Sequence, residues 1–475
     1  MNTPYWVAGQ AASSEDVVEV RSPHDGALAG TTSNATAQDV ERAVAAAADV
    51  AAEFASLPAH ARAAALDHVS RRLAERADEV AALITAESGK PLKWSRVEVT
   101  RAVSTFRWAA EESRRFSGDL QRLDTDPTAT GRLALVRRAP RGPVLGIAPF
   151  NFPLNLVAHK VAPAIAVGAP IIVKPAPATP LVSLLLGSLL AETDLPAGSW
   201  SVLPVPNEVA GELVSDPRLP VVSFTGSGPV GYGILDRVPR KHVVLELGGN
   251  AAAVVCPDWT DLDWAAQRIA TFAMYQGGQS CISVQRVYIH RDVYSEVADA
   301  VVAHVRKLGT GSPQDPSTDV GPLINEAAAR RVESWVDEAE AAGARVLAGG
   351  TRDGATYAPT VLAEVPEDCK VVDEEVFGPV VVLAAVDSVE EAFAKVNSSR
   401  FGLQAGLFTH DVRLAFQASK RLAVGGVIVG DVPSFRADQM PYGGVKESGT
   451  GREGVRSAME DLTEERVLVL TGLDL

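Results

Sequence analysis

Hydrophobic and polar positions follow a helical period along the first quarter of the chain. Residues 36–117 carry apolar side chains three and four positions apart in alanine-rich runs, and TAQD at 36–39 has the form of an N-terminal helix cap. The segment ESGKP at 87–91 interrupts the pattern, because a Gly-Lys-Pro step is typical of a turn. The pattern predicts helices over 36–117 with a break near residue 89.

Short apolar runs that alternate with helical runs begin at Gly142. The predicted strands are GPVLGIAPF, APIIVKP, WSVLPV, VVSFTG and HVVLELG. The predicted helices between them are NFPLNLVAHKVAPAIAVG, LVSLLLGSLLAET, EVAGELVS and GPVGYGILDRV. This alternation predicts a parallel, doubly wound sheet with helices on both faces, which binds ligands beyond the carboxyl ends of its strands.

A second alternating series follows Gly249 and continues to GGVIVG near residue 429. It contains the predicted strands AAAVV and VQRVYIH and the predicted helices DLDWAAQRIATFAMYQ and EVADAVVAHVRKL. The fold class is therefore α/β, with two doubly wound Rossmann-like domains and a small β arm for oligomerisation. We expect residues 1–119 and 141–247 to form the first domain, 248–455 the second, and 120–140 with 456–475 the arm.

The arm is predicted from two segments that fit neither series. Residues 120–140, QRLDTDPTATGRLALVRRAPR, resemble a polar hairpin, and EERVLVLTG at 464–472 resembles a strand with little around it. Because an isolated hairpin is only marginally stable, we expect the two segments to pair with each other and with a neighbouring subunit. The alternative is a disordered tail.

The composition of the chain limits the classes of partner and function that it can have. The net charge of -15 argues against nucleic acid or an anionic membrane surface as a partner, but not against a small anionic substrate held in a local basic pocket. The start, MNTPYWVAGQ, lacks the features of a secretory signal, and no run of 18 apolar residues predicts a membrane span. The three cysteines show neither C-x-x-C nor zinc spacing, so we expect a cytoplasmic protein without a metal site.

One of those cysteines is a candidate nucleophile. Cys281 lies in the glycine-rich segment GGQSCIS at 277–283, just past a helical run, whereas Cys256 and Cys369 lie in ordinary surroundings. A thiolate is the reactive form of cysteine and needs both access and a favourable field. The position of Cys281 meets the first requirement.

A second candidate site is the turn GSGPVG at 226–231. It has the form G-x-G-x-x-G between a predicted strand and a predicted helix, so Gly226, Ser227 and Gly231 are candidate phosphate-binding residues. Glu246 lies 20 positions after Gly226. It is either the acid that holds a ribose or, beside the hinge glycines that follow it, a general base facing the thiol. The second interpretation is favoured, because this turn opens the fourth strand-helix unit of the sheet rather than the first.

Seven motifs in order resemble the aldehyde dehydrogenase superfamily, from about residue 20 to the C-terminus. They are PFNFP (149–153), IIVKPA (171–176), FTGSGPVG (224–231), LELGGN (245–250), GGQSCIS (277–283), EEVFGPV (374–380) and PYGGVKESGTGREG (441–454). The resemblance implies oxidation of an aldehyde to a carboxylate with NAD or NADP. It also implies a homodimer or homotetramer that assembles through a hairpin arm and a C-terminal strand.

The resemblance assigns roles to residues of this chain. Cys281 matches the nucleophile that forms a thiohemiacetal and then a thioester, Glu246 the base that activates water to hydrolyse it, and Asn151 an oxyanion donor. The residues that match cofactor contacts are Lys174 for the adenosine ribose, Ser227 for the pyrophosphate, and Glu375 and Phe377 for the nicotinamide ribose and ring.

Three other functions remain open. Relatives that pass the acyl group to coenzyme A typically lack a glutamate at the position of Glu246, so its presence favours hydrolysis. A catalytically silent structural or binding member of the fold is a second alternative. A Cys-His hydrolase that pairs Cys281 with His242 or His159 is a third, but it leaves the phosphate turn and the cofactor residues unexplained.

The choice of cofactor and the substrate are less well defined. Many NAD-preferring relatives carry an acid three positions after the residue matched by Lys174, where this chain has Pro177, so NAD and NADP both remain possible. The segments PFNFPLNLVAHKVAP and FRADQMPYGG resemble the lactaldehyde, sulfolactaldehyde and phosphorylated-aldehyde branch, which indicates a small polar or acidic aldehyde.

Candidate substrate residues follow from their spacing to the catalytic ones. We expect Phe152 and Tyr275 near the aldehyde channel and His159 on the same helix as Asn151. We also expect Arg436, with Arg107, to hold an anionic group. Packing in the core is the alternative for the aromatic residues and the histidine, and surface ion pairs are the alternative for the arginines.

Overall fold

Four helices occupy most of residues 37–115, as predicted. The structure, a computed structural model, describes residues 2–472. The Thr36 hydroxyl caps the first helix by accepting the backbone N–H of Asp39 at 3.1 Å. The third helix ends at Gly89, whose φ of +71° lies in the left-handed region that favours glycine. These helices are α1 (Ala37–Ser56), α2 (Ala59–Glu75), α3 (Ala77–Ser88) and α4 (Leu92–Arg115).

The remaining elements of the first half include the alternating series. The strands are β1 (Tyr5–Val7), β2 (Gln10–Ala12), β3 (Val17–Arg21), β4 (Leu28–Ser33), β5 (Asp119–Arg122), β6 (Arg132–Pro140), β7 (Val144–Ile147), β8 (Ile171–Lys174), β9 (Trp200–Val202), β10 (Val221–Thr225) and β11 (His242–Glu246). The helices are α5 (Asn155–Val167), α6 (Leu181–Leu190), α7 (Asn207–Ser215) and α8 (Gly228–Arg237).

The second half contains the other series. Its strands are β12 (Ala252–Val255), β13 (Arg286–His290), β14 (Arg345–Ala348), β15 (Arg352–Asp353), β16 (Thr356–Tyr357), β17 (Thr360–Ala363), β18 (Val380–Val386), β19 (Phe401–Gly402), β20 (Gln404–Phe408), β21 (Gly426–Val429), β22 (Val445–Lys446), β23 (Gly449–Thr450) and β24 (Thr463–Thr471). Its helices are α9 (Leu262–Met274), α10 (Tyr294–Val305), α11 (Glu326–Ala341), α12 (Lys370–Asp373), α13 (Val389–Ser398), α14 (Val412–Arg421) and α15 (Val455–Asp461).

The two large sheets confirm the α/β fold class. The first has the order β2-β1-β9-β8-β7-β10-β11-β23, and the second β14-β17-β18-β13-β12-β20-β21. Strands β9, β8, β7, β10 and β11 are parallel, as predicted, but β1 and β23 join the edges antiparallel, and β14 does the same in the second sheet. Both sheets are therefore mixed. The antiparallel strands were not predicted, because short strands near an edge lack the buried apolar run that identifies a central strand.

The C-terminal part of the chain returns to the first domain. Strand β23 pairs with β11, and Val455, Met459 and Leu462 lie in the same hydrophobic core as the first sheet. The predicted boundary at 455/456 therefore falls at the start of α15, a helix that packs in the first core rather than in the arm. The apolar spacing of α15 requires this burial.

The predicted pairing within the arm is confirmed. Strand β24 pairs antiparallel with β6 from Thr463 opposite Pro140 to Thr471 opposite Arg132, and β5 completes a three-stranded sheet. The predicted domain segments also include residue 1 and residues 473–475, which lie outside the described residues. Within the described residues, no helix is long and apolar enough to cross a membrane.

Candidate active site

A strained turn positions Cys281. Helix α9 is followed by a 3-10 turn at Tyr275–Gly278, in which Gln276, Gly277 and Gly278 all have positive φ. A Cβ atom at Gly278 would lie 1.9 Å from the carbonyl oxygen of Gly378, so a side chain there is excluded. The glycines of GGQSCIS thus allow the chain to approach the neighbouring segment closely.

The thiol of Cys281 is half-buried and has one close polar partner. Its sulfur lies 3.0 Å from the hydroxyl oxygen of Tyr442. Burial raises the pKa of the Cys281 thiol to about 12, although the hydrogen bond with Tyr442 opposes this effect. The sequence could not show whether the surroundings of Cys281 favour a thiolate. In the free protein burial outweighs the hydrogen bond with Tyr442, so formation of the thiolate requires further stabilisation.

Glu246 ends strand β11 and is buried. Neither carboxyl oxygen of Glu246 has a hydrogen-bond partner among residues 2–472. Burial, followed by repulsion from Glu453, raises its pKa well above the usual range, and Arg436 and Lys160 only partly oppose the shift. A surface position is excluded, and the carboxyl group keeps its proton at pH values where an exposed glutamate has lost it.

A buried cluster of charges lies beside Glu246. The ammonium of Lys160 donates to the Thr225 hydroxyl at 2.7 Å and lies 3.5 Å from the Glu453 carboxylate. Arg436 donates to the same carboxylate at 3.0 Å. Although burial raises the pKa of Glu453, the charges of Lys160 and Arg436 outweigh it and hold that pKa at about 2. The site therefore contains one neutral and one charged buried carboxyl group.

Asn151 lies in a bend between β7 and α5. Its amide nitrogen donates to the carbonyl of Gln279 at 3.0 Å, and the Gln276 amide donates to the Asn151 carbonyl. The expectation that Asn151 and His159 share a helix was wrong, because α5 begins only at Asn155. The bend instead directs the Asn151 amide towards the segment that carries Cys281.

One cavity of about 640 Å³ joins the predicted catalytic and cofactor residues. Its lining includes Cys281, Glu246, Asn151, Lys174, Gly226, Ser227, Glu375 and Phe377, and also Pro177 and Asn207. Gly231 is not part of this lining. A Cβ atom there would lie 2.5 Å from the Leu247 side chain, so Gly231 allows α8 to pack closely on the sheet.

The cofactor half of the cavity fits a dinucleotide. Ser227 precedes the first residue of α8, where free N–H groups and the helix dipole favour a phosphate. Lys174 donates to the side-chain oxygen of Asn207 at 3.1 Å. Glu375 accepts the N–H of Gly249 at 2.9 Å, and burial raises its pKa to about 7. The lining thus combines donors for phosphate with acceptors for ribose hydroxyl groups.

Phe377 also lines the cavity. Its φ of +46° is unusual for a residue other than glycine, and its ring meets the ring of Phe150 edge-on at 5.9 Å. Phe377 and Cys281 line the same cavity, so Phe377 is suited to hold a nicotinamide ring there.

The predicted aromatic residues form a small cluster beside Asn151. Phe152 and Tyr275 are buried with Leu156, and their ring centroids lie 6.2 Å apart. Of these three residues, Leu156 lines the cavity. The two aromatic rings therefore lie next to the cavity but are not part of its lining.

Neither histidine of the Cys-His alternative lies beside Cys281. The Nε2 atom of His159 lies 3.0 Å from Asp438, and His159 is buried away from the cavity lining. His242 begins β11, at the opposite end of the strand from Glu246, and lies 3.8 Å from Asp461. Because Cys281 pairs with Tyr442 instead, the Cys-His hydrolase interpretation was wrong.

The predicted arginines lie in different environments. Arg436 is buried, bonded to Glu453, and its guanidinium lies 3.8 Å from the ring centroid of Tyr442. Arg107 is exposed on α4, so the expectation that it reaches the substrate was wrong. Arg101 on the same helix, which the sequence analysis missed, donates to Asp438 at 3.0 Å and lies 5.9 Å from the ring centroid of Phe152.

Comparison with known proteins identifies the family of this chain. The model of the aldehyde dehydrogenase family matches residues 6–468. The chain belongs to the aldehyde dehydrogenase family. It is accordingly an oxidoreductase, and the resemblance carried by the seven motifs is confirmed.

Individual aldehyde dehydrogenases are similar over the whole chain. The 3-sulfolactaldehyde dehydrogenase of Priestia aryabhattai is 41% identical over 98% of this chain and 97% of its own. The structure of aldehyde dehydrogenase 21 from Physcomitrella patens, in complex with the reaction product succinate, is 44% identical with a TM-score of 0.98 and covers 100% of this chain and 99% of that one. The glyceraldehyde-3-phosphate dehydrogenase of Methanocaldococcus jannaschii, complexed with NADP, is 34% identical with a TM-score of 0.91 and covers 96% and 99%.

Several residues of this aldehyde dehydrogenase site were missed from the sequence. Tyr442 and Glu453 lie inside the motif PYGGVKESGTGREG but received no role. Lys160 offered a usable signal, because a charged residue inside an otherwise apolar predicted helix is buried only when it is paired. Asn207 offered none.

Proposed function

We propose that this aldehyde dehydrogenase oxidises a small polar or acidic aldehyde to its carboxylate, with Cys281 as nucleophile and Glu246 as base. The observation that supports the proposal is that Cys281, Glu246 and Asn151 line the same cavity as the residues suited to a dinucleotide. A thiol, an acid and an amide that converge there provide a nucleophile, a proton acceptor and an oxyanion donor.

In the first step, the Cys281 thiolate forms a bond with the carbonyl carbon, and the carbonyl oxygen becomes an oxyanion. The Asn151 amide, which already points towards residue 279, and the backbone N–H of Cys281 stabilise that oxyanion. The carbon of this adduct must then lose a hydride, and a bound NAD or NADP would supply the acceptor. The carbon-oxygen double bond then re-forms, which leaves a thioester on Cys281.

In the second step, the Glu246 carboxylate takes a proton from water as the water attacks the thioester. The carbon-sulfur bond breaks, the carboxylate product leaves and the Cys281 thiolate returns. The raised pKa of Glu246 makes it a strong base once ionised. Its presence supports hydrolysis over transfer to coenzyme A, and the complete set of site residues supports an enzyme over a catalytically silent member of the family.

Four residues are suited to hold the cofactor. Lys174 and Glu375 would hold ribose hydroxyl groups, Ser227 just before α8 would hold the pyrophosphate, and Phe377 would pack against the nicotinamide ring. Pro177 lines the cavity without a charge, so nothing at that position repels a 2′-phosphate. Both NAD and NADP are therefore compatible with the site.

Two arginines support an acidic substrate. The positive charges of Arg101 and Arg436 both lower the pKa of Asp438. The Nε atom of each arginine is buried without a hydrogen-bond partner among residues 2–472. Neither guanidinium lines the cavity, but the free Nε–H donor on each favours a carboxylate, sulfonate or phosphate on the aldehyde. The sulfolactaldehyde dehydrogenase relative and the succinate complex support the same class.

The arm supports assembly into a homodimer or homotetramer. Strand β24 exposes apolar side chains on both faces, with Val467 61% and Leu468 56% exposed. Apolar residues exposed in a row favour burial against another copy of the chain. Sedimentation of the protein with and without residues 463–475 tests this part of the proposal.

The function is tested by assaying a panel of neutral and acidic aldehydes with NAD and NADP in parallel. We expect oxidation with at least one cofactor, and a higher kcat/KM for short aldehydes that carry an anionic group than for propanal. Equal kcat/KM values for acidic and neutral aldehydes would remove the acidic-substrate claim. Absence of oxidation across the panel would remove the enzyme claim.

A further inference from the structure

The hydroxyl group of Tyr442 has one hydrogen-bond partner among residues 2–472, the sulfur of Cys281. The two atoms lie 3.0 Å apart, and Tyr442 is 4% exposed. Buried hydroxyl groups normally find a partner in the protein. Here the partner of the Tyr442 hydroxyl is the Cys281 sulfur, the atom proposed to attack the substrate.

Contacts on three sides hold the Tyr442 ring in place. The backbone of Tyr442 exchanges two hydrogen bonds with Glu453, of 2.9 and 2.6 Å. The ring packs against Ile282 and Leu403. The guanidinium of Arg436 covers one ring face at 3.8 Å from the centroid. The phenol is therefore preorganised, and little freedom is lost when it bonds to the sulfur.

We propose that Tyr442 activates Cys281 by donating its phenolic hydrogen to the thiolate, an inference that rests on the proposed role of Cys281 as nucleophile. A thiolate only accepts hydrogen bonds, so the hydroxyl must donate when the sulfur is charged. The bond stabilises the thiolate more than the thiol, because hydrogen bonds to charged groups are stronger. On ionisation the thiol proton leaves to solvent, and the phenolic proton stays on the Tyr442 oxygen.

The same bond favours the end of the reaction. The sulfur is neutral in the thioester and becomes a thiolate again when the carbon-sulfur bond breaks. Tyr442 therefore stabilises the sulfur as a leaving group as well as a nucleophile. Gly443, the next residue, keeps this segment close to the base, since a Cβ atom there would lie 2.9 Å from a carboxyl oxygen of Glu246.

The charges near the Cys281 sulfur make the hydrogen bond donated by Tyr442 important for ionisation of the thiol. Glu375 and Glu246, when ionised, oppose the ionisation of Cys281, whereas Arg436 favours it. Because burial also opposes ionisation, the thiolate depends on the hydrogen bond and the guanidinium. The positive charge of Arg436 on the ring face also strengthens the hydroxyl as a donor.

The test measures how the rate of alkylation by iodoacetamide depends on pH, without aldehyde or cofactor. We compare the wild type with Tyr442→Phe and with a matched control, Tyr357→Phe. Tyr357 is fully buried in a separate core that does not contain Cys281. We expect the midpoint of Tyr442→Phe to rise by about one pH unit or more, which is about a tenfold lower rate below the wild-type midpoint. Tyr357→Phe should match the wild type.

A midpoint for Tyr442→Phe equal to that of the wild type overturns the proposal, even if the wild type oxidises aldehydes normally. Mass spectrometry of the alkylated peptide separates the two claims. If wild-type Cys281 resists alkylation at every pH while another residue reacts, both the nucleophile and its activation are overturned.

A second measurement covers the case in which Tyr442→Phe does not fold. In wild-type protein labelled with 3-fluorotyrosine, the fluorine resonance that moves in Cys281→Ala belongs to the phenol beside the sulfur. We expect this resonance to titrate with the midpoint of thiol alkylation. A resonance that is insensitive to pH across that midpoint overturns the proposal.

Discussion

The backbone N–H of Gly226 donates a 3.1 Å hydrogen bond to the carbonyl oxygen of Glu246. This bond continues the parallel pairing of β10 with β11 into the phosphate turn. The backbone of Glu246 thus supports the cofactor turn, while its side chain enters the cavity that Cys281 lines. This backbone contact does not involve the carboxylate, so the role of the Glu246 side chain as general base or ribose ligand stays a prediction. Substitution of the side chain alone should leave the turn intact.

The first prediction concerns stability. The pKa of Glu246 in the folded protein lies well above 4.5, its usual value. At pH values between the unfolded and the folded pKa of Glu246, the unfolded chain has lost the proton and the folded chain keeps it. The free energy of unfolding therefore falls as pH rises, by about 1.4 kcal/mol per pH unit. Below about pH 4.5 both states are neutral and the penalty vanishes.

We therefore expect Glu246→Gln to unfold at a higher temperature than the wild type at pH 8, with the difference shrinking towards pH 5. Thermal unfolding followed by circular dichroism measures it. Glu212→Gln, an exposed position on α7, serves as the control and should show no such trend. A Glu246→Gln variant that is less stable than the wild type at pH 8 would contradict the buried neutral carboxyl.

The second prediction concerns Glu375, whose pKa is raised to about 7 by burial. Its ionised form accepts hydrogen bonds from ribose hydroxyl groups more strongly than its neutral form does. The affinity for NAD or NADP should therefore increase as pH rises through about 7, and Glu375→Gln should remove that dependence. Calorimetric titration across this range measures both. A Glu375→Gln profile that parallels the wild type would exclude the carboxylate as a cofactor ligand.

The third prediction concerns cofactor choice. Pro177 lines the cavity three positions after Lys174. A carboxylate there would repel a 2′-phosphate and accept ribose hydroxyl groups instead. We expect Pro177→Glu to lower kcat/KM for NADP by roughly tenfold or more and to change that for NAD little. Pro177→Gln is the neutral control, and equal losses with both cofactors would place the adenosine ribose elsewhere.

The fourth prediction concerns the substrate. Arg101→Gln should raise KM for an acidic aldehyde by roughly tenfold or more and that for propanal little, because a charge-assisted hydrogen bond is lost. Arg107→Gln, on the exposed face of the same helix, is the matched control. Arg436→Ala is a weaker test, because it also leaves Glu453 without its guanidinium partner. Equal changes in KM for both aldehydes would exclude Arg101 as the anion ligand.

The sequence was sufficient for elements that local pattern determines. The central parallel strands, the helices of residues 37–115 and the turn at 226–231 follow from periodicity and glycine spacing. Pairings between distant segments were not predictable in the same way. Tyr442 meets Cys281 across 161 positions and Lys160 meets Glu453 across 293. Residue types alone do not specify which distant side chains a fold brings together. The pairing of Arg436 with Glu453 and of His159 with Asp438 was therefore not predicted.

The central claim is that the aldehyde is oxidised while it is attached to Cys281. Mixing Glu246→Gln with an aldehyde and NAD or NADP, then analysing quenched protein by peptide mass spectrometry, tests this claim most directly. We predict a burst of about one reduced cofactor per site, little further turnover, and an acyl group on the peptide that contains Cys281. Cys281→Ala should show neither burst nor acyl group. Full steady-state turnover by Glu246→Gln, or a burst with the acyl group on another residue, would contradict the account.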